Sequence, residues 1–250
     1  MSAWREAFGK LHVSLVAKVW VGTLVLAGLG MLWLQIPDSH VWEFAFSLLS
    51  AAVIVGLFFW LWTSVFRFLL EPTDEKGRWW VQWLLLAAVI VAWWLLQRPI
   101  DWLMEHRYLY AGYWTSRLPY WMRGLRTREH LVLLQSLIYF SLRLIVAGLL
   151  LPVAVVAGGA RFPSAARRIL SVWSRWWYWV AALVVGWIAF GVSGKLMGWT
   201  PGHGLVRETL SALVRLGIVF TLNVFLACFL LALVAVGLRR DNTSPDNLMG

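Results

Sequence analysis

The chain has 250 residues, of which 61% are hydrophobic and 14% charged, and its mean hydropathy is +0.71. Soluble domains carry about 25% charged residues, so this composition excludes an ordinary water-soluble enzyme and a disordered chain. A single cysteine excludes a disulfide scaffold. What is left is a multi-pass membrane protein.

The net charge of +10 would suggest a nucleic-acid partner in a soluble protein. Here most of the arginines flank apolar runs, where Lys and Arg contact lipid phosphates and set the orientation of the spans. We therefore expect membrane lipids and other membrane proteins as partners, and no nucleic acid.

The first third of the chain predicts a surface helix and two spans. Residues 3–18 form an amphipathic pattern, with apolar positions at Trp4, Phe8, Leu11 and Leu15. The first span is predicted over residues 19–36 and the second over residues 41–70. The second span is longer than an untilted crossing needs, so we expect it to tilt or to leave the bilayer at one end.

A third span is predicted over residues 78–97, with Trp residues near both ends, as interfacial anchoring favours. The connection over residues 98–128 carries six Arg together with several Trp and Tyr. Because it is too charged to span and too aromatic for a free linker, we predict one or two short helices lying in the membrane interface. A fourth span follows over residues 131–156.

The fifth span is predicted over residues 173–192 and the sixth over residues 205–238. Residues 239–250 are polar and are predicted to be a disordered tail. The fold class is therefore all-α, a multi-pass integral membrane helix bundle of about six transmembrane helices plus interfacial amphipathic helices. We expect residues 1–238 to form a single domain.

The positive-inside rule favours an orientation with both termini in the cytoplasm. With an inside N-terminus, 12 Lys and Arg fall on the inner side and 8 on the outer side. The connection over residues 98–128 opposes the rule, because all six of its Arg lie outside. The small size, the absence of sorting features and the Arg content favour the bacterial inner membrane.

A possible internal duplication links the third and fourth spans with the fifth and sixth. Arg-Trp-Trp opens the third span at Arg78 and recurs at Arg175, and Arg-Glu opens the fourth span at Arg128 and recurs at Arg207. Chance similarity is an equally good explanation. A real repeat would matter because many transporters bind their substrate between repeats.

Arg143 is the most informative single residue, because it lies about twelve residues inside the predicted fourth span. An Arg at that depth costs about 2.5–3.5 kcal/mol unless it is paired or hydrated. Other polar residues fall at similar depths or near the same ends of their helices, including Gln135. We predict an intramembrane polar cluster opening toward the outer leaflet, with these candidate residues: Arg143, Arg215, Glu43, Glu129, Glu208, Ser136 and Ser211.

This cluster has a functional and a structural interpretation. It is either a binding site for an anionic headgroup or solute, or an Arg–Glu clamp that fixes helix register. An Arg that extends to the headgroups is a further structural interpretation.

Three classes of function follow from the sequence. The first is a non-enzymatic envelope or assembly subunit that contacts lipids or partner proteins. The second is a small transporter or channel with a polar site around Arg143. The third is a lipid-acting membrane enzyme, which ranks last because no paired acids or metal-ligand spacings occur. We expect no catalytic residue, no metal and no cofactor.

Overall fold

The computed structural model describes residues 3–37, 40–70, 78–122, 127–159, 162–199 and 204–239. In these ranges the chain forms helices and no β-strand, and six of the helices are long and apolar enough to cross a bilayer: α2, α3, α4, α6, α8 and α9. The α-helices are α1 Ala3–Lys10, α2 Val13–Trp33, α3 Val41–Leu70, α4 Trp79–Glu105, α5 Arg107–Arg117, α6 Thr127–Gly159, α7 Phe162–Trp173, α8 Trp176–Gly198 and α9 Leu205–Arg239.

The all-α, multi-pass membrane architecture predicted from the sequence is therefore confirmed. Helices are the physically expected element here, because hydrocarbon offers no hydrogen-bond partner and a helix satisfies its backbone groups within one segment. A short 3-10 turn, Tyr120–Met122, follows α5.

The predicted surface helix over residues 3–18 is two helices rather than one. His12 has an extended backbone (φ −65°, ψ 139°), so α1 ends at Lys10 and the first span already begins at Val13. The amphipathic character of α1 is used within the protein, because α1 packs against α9. The rings of Trp4 and Phe8 lie 5.7 and 4.8 Å from the ring of Phe229.

The third span continues past its predicted end at residue 97. α4 runs through Pro99 to Glu105, although proline in a helix interior removes a backbone hydrogen bond and usually bends the helix. α5 then begins at Arg107, and both α4 and α5 pack against α6. The region predicted as a surface connection over residues 98–128 is thus partly a continuation of the span.

The later spans also differ in their limits from the prediction. α6 begins at Thr127 and ends at Gly159, several residues beyond the predicted limits at both ends. A separate helix, α7, precedes the fifth span, and a turn at Ser174 separates it from α8. α9 continues to Arg239, while the rest of the predicted disordered tail lies outside the described residues.

Packing is concentrated at one end of the bundle, which we call the packed end. It holds α1, α7 and the last turns of α3, α6 and α9, and most of the buried apolar residues come from these segments. The other end, the open end, holds the first turns of α3, α6 and α9, and it buries few side chains. In the predicted orientation the packed end is cytoplasmic.

Candidate functional site

Arg143 lies at the midpoint of α6 and forms an ion pair with Asp101 of α4, through its Nη2 and the Asp101 Oδ1. At 1.5 Å per residue, it is about 24 Å from either end of α6. A charged side chain inside an apolar span needs compensation, because its transfer from water is unfavourable. Asp101 supplies an opposite charge.

The ion pair lies at the surface of the described bundle. The side chains of Arg143 and Asp101 are 35% and 41% exposed. Within the described residues, the buried Nε of Arg143 and the buried Oε1 of Gln135 have no hydrogen-bond partner. This part of α6 therefore retains hydrogen-bonding capacity that the described chain does not satisfy.

Three polar residues of α6 lie on one face of the helix, and we call them the polar stripe: Glu129, Ser136 and Arg143. Each is seven residues, about two turns and 10.5 Å, from the next. Ser136 donates its hydroxyl hydrogen to the carbonyl oxygen of Val132 at 2.8 Å and keeps its oxygen as an acceptor. The stripe gathers three of the seven predicted site residues.

Two helices border the polar stripe. On one side Arg143 reaches Asp101 of α4. On the other side Phe140, one turn earlier in α6, packs edge to face against Trp187 and Phe190 of α8, with ring centroids 4.5 and 4.9 Å apart. The polar stripe therefore lies on the strip of the α6 surface between its contacts with α4 and with α8, and we call this strip the α6 furrow.

The stripe begins in a crevice where α5 lies against the first turns of α6. The crevice has a volume of about 660 Å³ and is lined by Tyr108 of α5 and by Arg128, Glu129, Val132 and Leu133 of α6. The guanidinium of Arg107 lies 5.0 Å from the centre of the Tyr108 ring. One end of the furrow is therefore a crevice that contains the charged side chains of Arg128 and Glu129, and the ion pair lies about 21 Å from Glu129 along α6.

Arg215, the second Arg of the predicted cluster, has a different environment. It is 9% exposed, and it donates to the carbonyl oxygens of Ser211, at 3.1 Å, Leu196, at 3.3 Å, and Trp199. Leu196 and Trp199 are at the end of α8, where the last carbonyl groups lack helical partners. Arg215 therefore caps the C-terminus of α8, and its charge favours that end of the helix dipole.

The remaining predicted residues do not join Arg143. Glu43 accepts a hydrogen bond from the backbone N–H of His40 at 3.0 Å, so it caps the start of α3. Glu208 is exposed on the first turn of α9, and Ser211 lies on α9 beside Arg215. The Arg–Glu clamp that the sequence left open is not the pairing described for Arg143, whose ion-pair partner is Asp101.

Asp101 is the residue that the sequence reasoning missed. The charge of residues 98–128 predicts that the third span ends before it, which places Asp101 in a surface connection. The signal that could have found it is the helical spacing of the apolar residues Leu96, Ile100 and Leu103, which continues past Pro99.

Two other grooves of the bundle are mainly apolar. A groove of about 400 Å³ between α2 and α3 is lined by residues such as Trp33, Phe46 and Val53. Another of about 650 Å³ lies between α2 and α9, beside Trp20 and Phe225. Among the described residues, no three His, Cys, Asp or Glu side chains lie close enough to share a metal ion.

Comparison with known proteins adds no family to this description. The chain matches no protein-family model, no curated protein and no solved structure. A function for this chain therefore has to be inferred from the site itself.

Proposed function

We propose that this protein is a non-enzymatic subunit of a membrane-embedded assembly, which acts through contacts with partner proteins and lipids. The observation that carries the proposal is the partly exposed Asp101–Arg143 ion pair in the middle of α6. Acyl chains cannot hydrogen-bond to an ion pair, so its exposed polar atoms favour a polar group from outside the described chain. A partner helix provides such a group without a water-filled path.

The transporter alternative requires a polar cavity that reaches Arg143. The two apolar grooves are not lined by Arg143, and the lining of the crevice beside Glu129 ends at Leu133, about 15 Å along α6 from Arg143. The lipid-acting enzyme would need an acid and a base, or metal ligands, near one reacting atom. The ion pair is better suited to binding a polar group of a partner than to transport or to catalysis.

We also propose that the protein resides in the bacterial inner membrane with both termini in the cytoplasm. The excess of Lys and Arg in the inner segments supports this orientation. The contact of α1 with Phe229, ten residues before the end of α9, supports termini on the same side. Fusion of a periplasmic reporter and a cytoplasmic reporter to the C-terminus tests it, and activity of the periplasmic reporter would overturn it.

The assembly role is tested by photo-crosslinking in native membranes. A photoreactive residue at Ser136 faces the α6 furrow, whereas one at Ile138, which is 53% exposed, lies on the opposite side of α6. We expect position 136 to give one reproducible protein adduct of defined mass, and position 138 to give lipid adducts. Lipid adducts alone at both positions would overturn the proposal.

A further inference from the structure

The α6 furrow presents polar groups at a regular spacing along the helix. Ser136 and the Asp101–Arg143 pair are separated by seven residues along α6, and both retain unused donors or acceptors. Seven residues is also the repeat at which one helix meets another in left-handed helix packing. The pattern of polar groups therefore matches the spacing that a second helix would present.

We infer that the α6 furrow binds one transmembrane helix of a partner protein, and that this helix carries Asn or Gln side chains seven residues apart. This inference rests on the proposed assembly role and specifies its contact. The partner helix lies along α6, one amide facing Ser136 and the other facing the Asp101–Arg143 pair.

The partner residue is an amide because the site already has a balanced charge. The ion pair is already neutral, so a third charge would leave a net charge within the membrane. An amide donates through its NH₂ group and accepts through its oxygen. It can therefore donate to the Asp101 carboxylate and accept from the Arg143 guanidinium while the site stays neutral.

A phospholipid is a poorer occupant of the furrow. A headgroup in the crevice beside Arg128 and Glu129 would place its acyl chains over Ser136 and the ion pair. Acyl chains have no donor or acceptor, so they would leave the polar stripe unsatisfied. A helix satisfies its own backbone and offers polar side chains at chosen positions.

The test uses full-length protein in phospholipid vesicles and two synthetic transmembrane peptides. Both peptides are leucine-based, about 20 residues long between lysine flanks. One carries two Asn residues seven positions apart, and the other has Leu at both positions. Energy transfer is measured from a donor on Tyr120→Cys, in a Cys228→Ala background, to an acceptor on the peptide, since Tyr120 is 91% exposed.

We expect the Asn peptide to associate at least tenfold more strongly than the Leu peptide. Ser136→Leu, which covers one polar position, is expected to reduce this preference severalfold. The double variant Asp101→Leu/Arg143→Leu removes both charges together and is expected to abolish the preference without leaving an unpaired charge. The matched control is Ser211→Leu on α9, beside the satisfied Arg215, and it is expected to leave the preference unchanged.

Equal association of the two peptides with the wild-type protein would overturn the inference. It also fails if the double variant keeps the preference while remaining helical and monodisperse. If photo-crosslinking finds no partner but the tenfold preference holds, the assembly role fails and the furrow stands as a helix-binding surface. If crosslinking finds a partner and the preference is absent, this inference alone fails.

Discussion

Arg143 and Arg215 lie in similar sequence contexts, yet the structure satisfies them differently. Each follows an Arg-Glu pair at the start of a long helix, and a Ser lies between the Glu and the embedded Arg. Arg215 is buried and donates to carbonyl groups of its own chain. Arg143 has a single described ion-pair partner and is 35% exposed. The same sequence pattern therefore gives one Arg that is buried and hydrogen-bonded within the chain and another that stays partly exposed.

The difference comes from the neighbouring helix. α8 ends beside Arg215, so its last carbonyl groups point toward the guanidinium. α4 meets Arg143 at Asp101, four residues before the helix ends at Glu105, and the described hydrogen bond of this guanidinium goes to the Asp101 side chain. One carboxylate leaves part of the guanidinium accessible. Whether an embedded Arg stays exposed therefore depends on how many acceptors the adjacent helix presents to it.

The largest expected effect comes from Asp101→Leu. It leaves Arg143 without a counter-charge, and we expect a loss of about 2 kcal/mol in unfolding free energy, below the 3–5 kcal/mol of fully buried pairs because this pair is partly exposed. The measurement is SDS-induced unfolding in mixed micelles, followed by Trp fluorescence. The double variant Asp101→Leu/Arg143→Leu is expected to recover to within about 1 kcal/mol of wild type. A double variant as unstable as Asp101→Leu would contradict this explanation.

Arg215→Leu is expected to lower the unfolding free energy by about 1.5–2 kcal/mol, because the terminal carbonyl groups of α8 lose a charged donor. Arg215→Lys should recover a smaller share of the stability lost in Arg215→Leu than Arg143→Lys recovers of the stability lost in Arg143→Leu. The ammonium of Lys can pair with one carboxylate, but it cannot replace the planar guanidinium of Arg215, which donates to three carbonyl groups. Equal effects of the two Lys variants in the same unfolding assay would remove the distinction between the sites.

Gly186→Ala tests the α6–α8 contact that borders the furrow. A Cβ at position 186 would lie 2.5 Å from a methyl group of Leu144, so we expect a loss of about 1 kcal/mol. Gly191→Ala is the matched control on the same helix, since nothing lies within 4 Å of its added Cβ. The control is expected to be neutral or slightly stabilising, because Ala favours the helix. A loss at position 191 equal to that at position 186 would argue against close packing at this border.

The smallest effect is expected from Asn223→Ala, which removes a link between α8 and α9 near Arg215. Asn223 Nδ2 donates to Ser193 Oγ at 2.9 Å. Side-chain hydrogen bonds between membrane helices average about 0.6 kcal/mol, and we expect that magnitude here. A double-mutant cycle with Ser193→Ala isolates the free energy of the Asn223–Ser193 hydrogen bond. A coupling energy of zero would show that this bond does not stabilise the contact between α8 and α9.

Much of the architecture was predictable because hydrocarbon imposes long apolar helices. The second span was predicted at residues 41–70, and α3 has those limits. The charge of the following connection gave a wrong limit elsewhere. The six Arg of residues 98–128 placed the end of the third span at residue 97, but α4, which packs against α6, continues to Glu105.

The candidate site was only partly predictable. Arg143 stands out in the sequence because a charge in an apolar run demands compensation. The residue that compensates it depends on which helix packs beside α6, and one sequence does not reveal that neighbour. Asp101 was therefore missed, and Glu43 and Arg215 were included although both serve as caps.

The contact between α1 and Phe229 joins residues more than 200 positions apart in the sequence. During synthesis at roughly 5–20 residues per second, α1 leaves the ribosome roughly 10–40 s before the last helix that receives it. Over that interval Trp4 and Phe8 lack the ring of Phe229 as a packing partner. The bilayer surface is the other apolar environment open to the newly made α1, and its contact with α9 forms only after α9 has been synthesised.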